Sequence, residues 1–134
     1  MRLSSYVSAA LVALAVVISG ISSAAAFEQR KFDTASFQAA QAGDKPILVD
    51  ISASWCPICK AQHAVLQSLA TKTEYAQFVV FQVDFDNQKD VVKSFDARQQ
   101  STLIAFKGAH EASRLVGETG AMPIENLLTS ALNK

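Results

Sequence analysis

The sequence is poor in cysteine: it has two, Cys56 and Cys59. Two thiols cannot build a multi-bridge scaffold, and with no second pair they cannot supply four thiolates to a zinc ion. Charge of either sign is also missing as an excess. Lys plus Arg equals Asp plus Glu at 12 each, so the formal net charge is zero. No basic stripe points to nucleic acid, and no charged tail is present. The chain has no internal repeat and no low-complexity segment beyond residue 26. It carries no glycine-rich phosphate loop and no Ser/His/Asp arrangement, and no helix after residue 26 suits a membrane surface. What remains is enough for one domain: 134 residues, half of them hydrophobic.

Residues 1–26 read separately from the rest. Arg2 is a minimal positive start, Val7 to Ile21 is apolar, and Ser22-Ser23-Ala24-Ala25-Ala26 supplies small residues before Phe27. That is the pattern of a secretory signal peptide cleaved near Ala26, which leaves residues 27–134 as the domain. The expected location is periplasmic or secreted. The alternative is an uncleaved anchor, but the apolar run is short and Ala-rich and no charged cluster follows it.

The two cysteines lie in Ser54-Trp55-Cys56-Pro57-Ile58-Cys59-Lys60. The apolar run Ile47-Leu48-Val49-Asp50-Ile51 precedes this stretch, and a helix-like run from Ala61 to Leu69 follows it. The thiols therefore sit where a buried strand turns into a helix. A helix N-terminus offers unpaired N–H groups and the positive end of the macrodipole, and both favour a thiolate. Cys56 is expected at the helix edge with its sulfur accessible, Cys59 one turn in beneath it, and Lys60 adds a nearby positive charge. A purely structural bridge is the alternative, but so short a loop restrains the unfolded chain little.

In order, Phe27–Phe32 reads as an edge strand. Asp33 caps a helix over Thr34–Ala42 that Gly43 ends. Ile47–Ala53 is a central strand, apolar on both faces. A helix runs from about Cys56 to about Thr71, with Pro57 in its first turn and Val65, Leu66 and Leu69 on its apolar face. Phe78–Phe85 is a strand, Gln88–Phe95 a short helix, and Thr102–Phe106 a strand. A turn at Lys107-Gly108-Ala109-His110 leads to a returning strand over Ser113–Val116. Pro123 is expected at the first position of a last helix carrying Ile124, Leu127, Leu128 and Leu132. The order β-α-β-α-β-α-β-β-α predicts an α/β fold: one central mixed β-sheet with helices on both faces.

With these elements placed, the chain resembles the thioredoxin superfamily. Ile47-Leu48-Val49-Asp50 followed by Trp55-Cys56-x-x-Cys59-Lys60 is similar to the family's strand and active-site helix. Thr102-Leu103-Ile104-Ala105-Phe106-Lys107-x-Gly with Val116-Gly117 is similar to its late hairpin. The resemblance covers essentially all of 27–134. It implies a thiol–disulfide oxidoreductase that needs no cofactor. Cys56 would be the nucleophile and Cys59 the resolving thiol. Asp50 would be a buried carboxylate, raised in pKa by desolvation, that relays the proton of Cys59. Trp55, Pro57, Ile58, Ser101 and Thr102 would shape the substrate surface. Disulfide-containing proteins would be the substrates, a membrane electron donor would keep an exported reductase reduced, and the chain is expected to be a monomer.

Three positions depart from the family pattern. Ser101 stands where the family usually has a cis-proline, so the Gln100–Ser101 bond is expected to be trans and Ser101 to offer a hydroxyl. Gln82 stands at the position resembling a buried lysine, which would leave Asp50 without that partner. Ser52 replaces an aromatic residue, which makes the site more open and polar. Pro57-Ile58 is not the usual pair between the cysteines and tunes the redox potential in a direction the sequence does not give. His63, four residues after Cys59 and seven after Cys56, shares a helix face with both. Cys56, Cys59 and His63 thus form an alternative metal set suited to copper(I) or zinc, against the plainer reading of His63 as a solvent-facing residue. A non-catalytic binding module is the remaining alternative, and two cysteines with Asp50 argue against it. Asp84 and Asp86 read as solvated turn carboxylates, and His110 as surface.

Overall fold

The computed structural model describes residues 26–132. Nearly all of the expected signal segment lies outside the described residues. The elements are β1 (Glu28–Lys31), α1 (Thr34–Ala42), β2 (Pro46–Ser52) and α2 (Pro57–Leu69), then a 3-10 turn at Thr73–Tyr75. They continue with β3 (Val79–Asp84), α3 (Lys89–Ser94), β4 (Thr102–Lys107), β5 (His110–Val116) and α4 (Ala121–Leu132). The alternation expected from the sequence is the one observed.

The five strands form one mixed sheet in the order β1-β3-β2-β4-β5. β2 is central, parallel to β3 and antiparallel to β4. Its residues alternate between two cores, because successive strand side chains point to opposite faces. Ile47, Val49 and Ile51 join Phe37, Phe81, Val92 and Phe106 under α1 and α3. Leu48 joins Leu66, Leu103, Ile124 and Leu128 under α2 and α4. A fully buried aliphatic side chain stabilises by about 1.5–3 kcal/mol, so the two clusters together, and no single contact, hold the sheet. Phe37 anchors the first cluster, with edge-on contacts to Phe81, Phe95 and Phe106. The same alternation puts Asp50, two residues after Leu48, on the α2 face.

Most boundaries shift by a residue or two, and the starts of α4 and β5 differ in instructive ways. α4 begins at Ala121, so Pro123 is its third residue and not its first. Glu118 Oε1 accepts from the backbone N–H of Thr119 and Gly120 and organises the turn into the helix. The proline is tolerated because the first helical N–H groups have no partner to lose. β5 begins at His110, three residues before the expected Ser113. Its outer positions are polar and exposed, so the apolar pattern used to find it starts late. The hairpin closes on Gly108, whose φ of 55° lies in the left-handed region that glycine adopts without penalty.

Candidate active site

Strand β2 ends at Ser52, and after a short turn α2 starts at Pro57 with Cys56 as its N-cap. The Cys56 sulfur accepts the backbone N–H of Cys59 at 3.1 Å, the bond a capping side chain makes. Pro57 fills the first helical position, where its missing N–H costs nothing. Cys56 and Cys59 are joined as a disulfide. Cys59 is fully buried, as expected one turn in. Cys56 is less accessible than the sequence suggested, with 5% of its surface exposed. Its capping bond draws the sulfur inward over the end of the helix.

The exposed apolar residues that adjoin the two cysteines in the chain are Trp55 and Ile58. Trp55 is 59% exposed, so it is not a core aromatic. Its indole N–H donates to Asp86 Oδ2 at 2.8 Å, which ties the ring to the turn after β3. Asp86 thereby acquires a role the sequence did not reveal. Asp84 is the turn carboxylate expected: it accepts from the backbone N–H of Asp86 and Asn87 and from the Asn87 amide. The Asn87 hydrogen bonds hold its carboxyl below the usual range.

On the β4 side the site is closed. No described peptide bond is cis, so Gln100–Ser101 is trans as expected. Ser101 is buried and has a φ of 58°, a left-handed conformation that costs a serine about 1–2 kcal/mol. Its hydroxyl does not face a substrate but donates to its neighbour's carbonyl, Gln100 O, at 2.6 Å. Thr102 is likewise not a surface residue: it is buried, and its hydroxyl donates to Gln99 O. Both side chains hold the loop in shape, because the turn before β4 needs partners for its own carbonyls. The loop is also clamped by Gln62, which sequence reasoning missed. Gln62 is fully buried on α2, and its amide donates to Ser101 O at 3.1 Å and to Glu118 O at 2.9 Å. A signal existed. Cys59, Gln62, Leu66 and Leu69 are the buried stripe of α2, and a polar residue in such a stripe must find partners.

On the β1 and β3 side the site is open. A cavity of about 630 Å³ is lined by Cys56, Cys59, Ser52, Lys31, Lys60 and His63, among others. It lies where an aromatic side chain in place of Ser52 would project, in keeping with the more open site the sequence suggested. Behind it is a smaller cavity of about 110 Å³ lined by Asp50, His63 and Gln82. Asp50 is 2% exposed, a buried carboxylate as the resemblance implied.

Asp50 is nevertheless not without a partner. Its Oδ2 accepts a hydrogen bond from His63 Nε2 at 2.7 Å. Gln82 pairs with Asp50 in register but turns its amide to Gln29 instead. His63 is therefore not a plain surface residue, and in the disulfide form it is not arranged with the cysteines as a metal set. Its Nε2 is committed to Asp50 and the two sulfurs to each other, and no cluster among the described residues is arranged to hold a metal ion. The hydrogen bond to the Asp50 carboxylate is the largest effect raising the ring's pKa above the ordinary histidine value; partial burial opposes it and the charge attraction to Asp50 adds to it. Helix α2 can bring the two together because Asp50 lies on its face of the sheet and His63 one turn beyond Cys59.

The arrangement can exchange a disulfide for two thiols. A capped, electropositive helix start favours the thiolate at Cys56, Cys59 is within bonding distance of it, and a buried carboxylate–imidazole pair lies on the same helix face. Comparison with known proteins agrees. The Thioredoxin family model matches residues 28–130. The chain is 33% identical over 98 residues to a thioredoxin of Alicyclobacillus acidocaldarius, covering 73% of this chain and 92% of that one. It is 34% identical over 77 residues to thioredoxin Asp f 29 of Aspergillus fumigatus, covering 58% and 70%. The crystal structure of Trxlp from Edwardsiella tarda superimposes with a TM-score of 0.73 at 38% identity, covering 75% of this chain and 98% of that one. A buried disulfide at a capped helix start, on this sheet and with these relatives, places the chain in the thioredoxin family of thiol–disulfide oxidoreductases.

Proposed function

We propose that this protein is an exported reductase of protein disulfides. The observation that carries the reading is the Cys56–Cys59 disulfide at the α2 start, beside an exposed apolar rim of Trp55 and Ile58, its neighbours in the chain. That rim suits the side chains flanking a disulfide in a partner protein. In the dithiol form, Cys56 thiolate attacks the substrate disulfide and forms a mixed disulfide, and one substrate sulfur leaves as a thiolate. Cys59 gives up its proton and attacks Cys56, releasing the second substrate sulfur. Two electrons pass from the dithiol to the substrate. Asp50 is buried on the α2 face of the sheet and hydrogen-bonded to His63. Export rests on the signal pattern in residues 1–26, and in an oxidising compartment the enzyme would need a membrane electron donor to return to its dithiol form.

Two measurements test this. A Cys59→Ser variant should accumulate a mixed disulfide on Cys56 when mixed with a reducible protein, seen as an added mass. Failure to trap one, or trapping on no cysteine in wild type or variant, removes the reductase. The reduction potential, measured against graded thiol buffers, should lie near the about −270 mV of thioredoxin; a value near about −120 mV would make the protein an oxidant.

A further inference from the structure

The Asp50–His63 hydrogen bond has no counterpart in a site run by a lone buried carboxylate. Asp50 is closed off in the smaller cavity, and the sulfurs line the larger one. His63 and Gln82 line both, and of these only His63 titrates. The imidazole therefore stands between the carboxylate and the space that holds the reacting atoms. Its side chain is 38% exposed, against 2% for Asp50. Cys59 and His63 are four residues apart on α2, so they lie one turn apart on one face.

We infer that the proton of Cys59 leaves through His63, and that Asp50 positions the ring for this and balances its charge. This rests on the reductase reading and adds the path of its proton. In the mixed disulfide, Cys59 loses its S–H proton through water in the larger cavity to His63. Nε2 is held by Asp50, so Nδ1 takes the proton. The Cys59–Cys56 bond forms as the bond between Cys56 and the substrate sulfur breaks. The substrate sulfur leaves with that electron pair and is then protonated from the imidazolium or solvent. The ring thus changes charge while its Nε2 stays hydrogen-bonded to Asp50.

The other charged groups around the ring are few. β2 contributes Asp50, and α2 contributes Lys60 and the two cysteines. β1 contributes Lys31 and β3 Asp84, both at the larger cavity. Asp84 is engaged with its own turn. Among the described residues Asp50 is the carboxylate hydrogen-bonded to the ring, and that bond, with a smaller charge attraction, holds the ring protonated to higher pH than usual. Below that titration the acceptor is already full, and the resolving step slows.

The test separates the two chemical steps. The reduced full-length protein is mixed in a stopped flow with an aromatic disulfide whose released thiolate absorbs. The first thiolate reports attack by Cys56, the second the attack of Cys59. Wild type should show a second phase that falls about tenfold per pH unit below the His63 titration. His63→Gln, which keeps an amide N–H for Asp50, should slow the second phase by about 10²-fold at neutral pH, flatten its pH profile and leave the first phase unchanged. An unchanged second phase overturns the inference while the reductase reading stands. Loss of the first phase in wild type removes that reading itself. An NMR titration of the wild-type ring needs no variant: it should differ between disulfide and dithiol forms, and identical curves would also overturn the inference.

Discussion

Gln62 and His63 are adjacent in sequence and about 100° apart around α2, so they serve opposite sides of one disulfide. Gln62 is sealed in the β4 side and holds two backbone carbonyls. His63 stands on the open β1 and β3 side and holds one buried carboxylate. One side is built of groups that cannot titrate and fixes the Ser101 loop. The other is built of a carboxylate and an imidazole, and its imidazole is reached by solvent. The difference shows how a single helix separates shape from acid–base chemistry: neighbouring residues face different environments, and each environment selects what its residue can do.

The comparison can be broken most strongly at Gln62. Gln62→Glu replaces the amide donor with a carboxylate facing the Ser101 and Glu118 carbonyls in a site without solvent. The cost should be about 3–5 kcal/mol, as for an uncompensated buried charge, read as a lowered midpoint in urea denaturation. A change under about 1 kcal/mol would mean that the β4 side is not closed.

The next largest effect is expected at Ser101. Its φ of 58° is incompatible with the ring of proline, which fixes φ near −65°. Ser101→Pro should therefore destabilise by more than about 1 kcal/mol and not restore a family-like loop. Thermal unfolding of the variant checks this, and a stabilised protein would show that the loop readily adopts another form.

The smallest effect belongs to the open side. His63→Gln should cost less than about 1 kcal/mol, because the ring is partly exposed and its charge attraction to Asp50 is screened. The cost should also depend on pH. The folded ring titrates above its unfolded value, so the stabilisation is full below about pH 6.5 and fades as pH rises through the folded value. Urea curves for wild type and variant should converge at alkaline pH. Curves that stay parallel from acid to alkaline pH would mean that the ring does not carry charge in the folded protein.

Much of the fold was legible because its signals are local. Asp33 before an amphipathic run, the apolar stretch of β2 and the C-x-x-C at a strand-to-helix junction each have a short-range cause. The burial of Thr102 was not legible for the opposite reason: nothing in its neighbours says whether a residue at a strand start faces solvent or its own turn. The β5 start was hidden by exposure, since an edge strand with polar outer positions carries little alternation.

The sequence by itself determined the element order, the pair of cysteines at a helix start and the family they belong to, because periodicity, capping and spacing act over a few residues. It also determined that Asp50 follows Leu48 at the strand period, and so shares its face of the sheet. Only the tertiary structure decided that His63 is the partner of Asp50, that Gln62 holds the Ser101 loop, and that Asp86 holds Trp55. Those pairings join residues 13, 39 and 31 positions apart. A buried polar atom states that it needs a partner; which partner it finds depends on how helix and sheet are packed against each other.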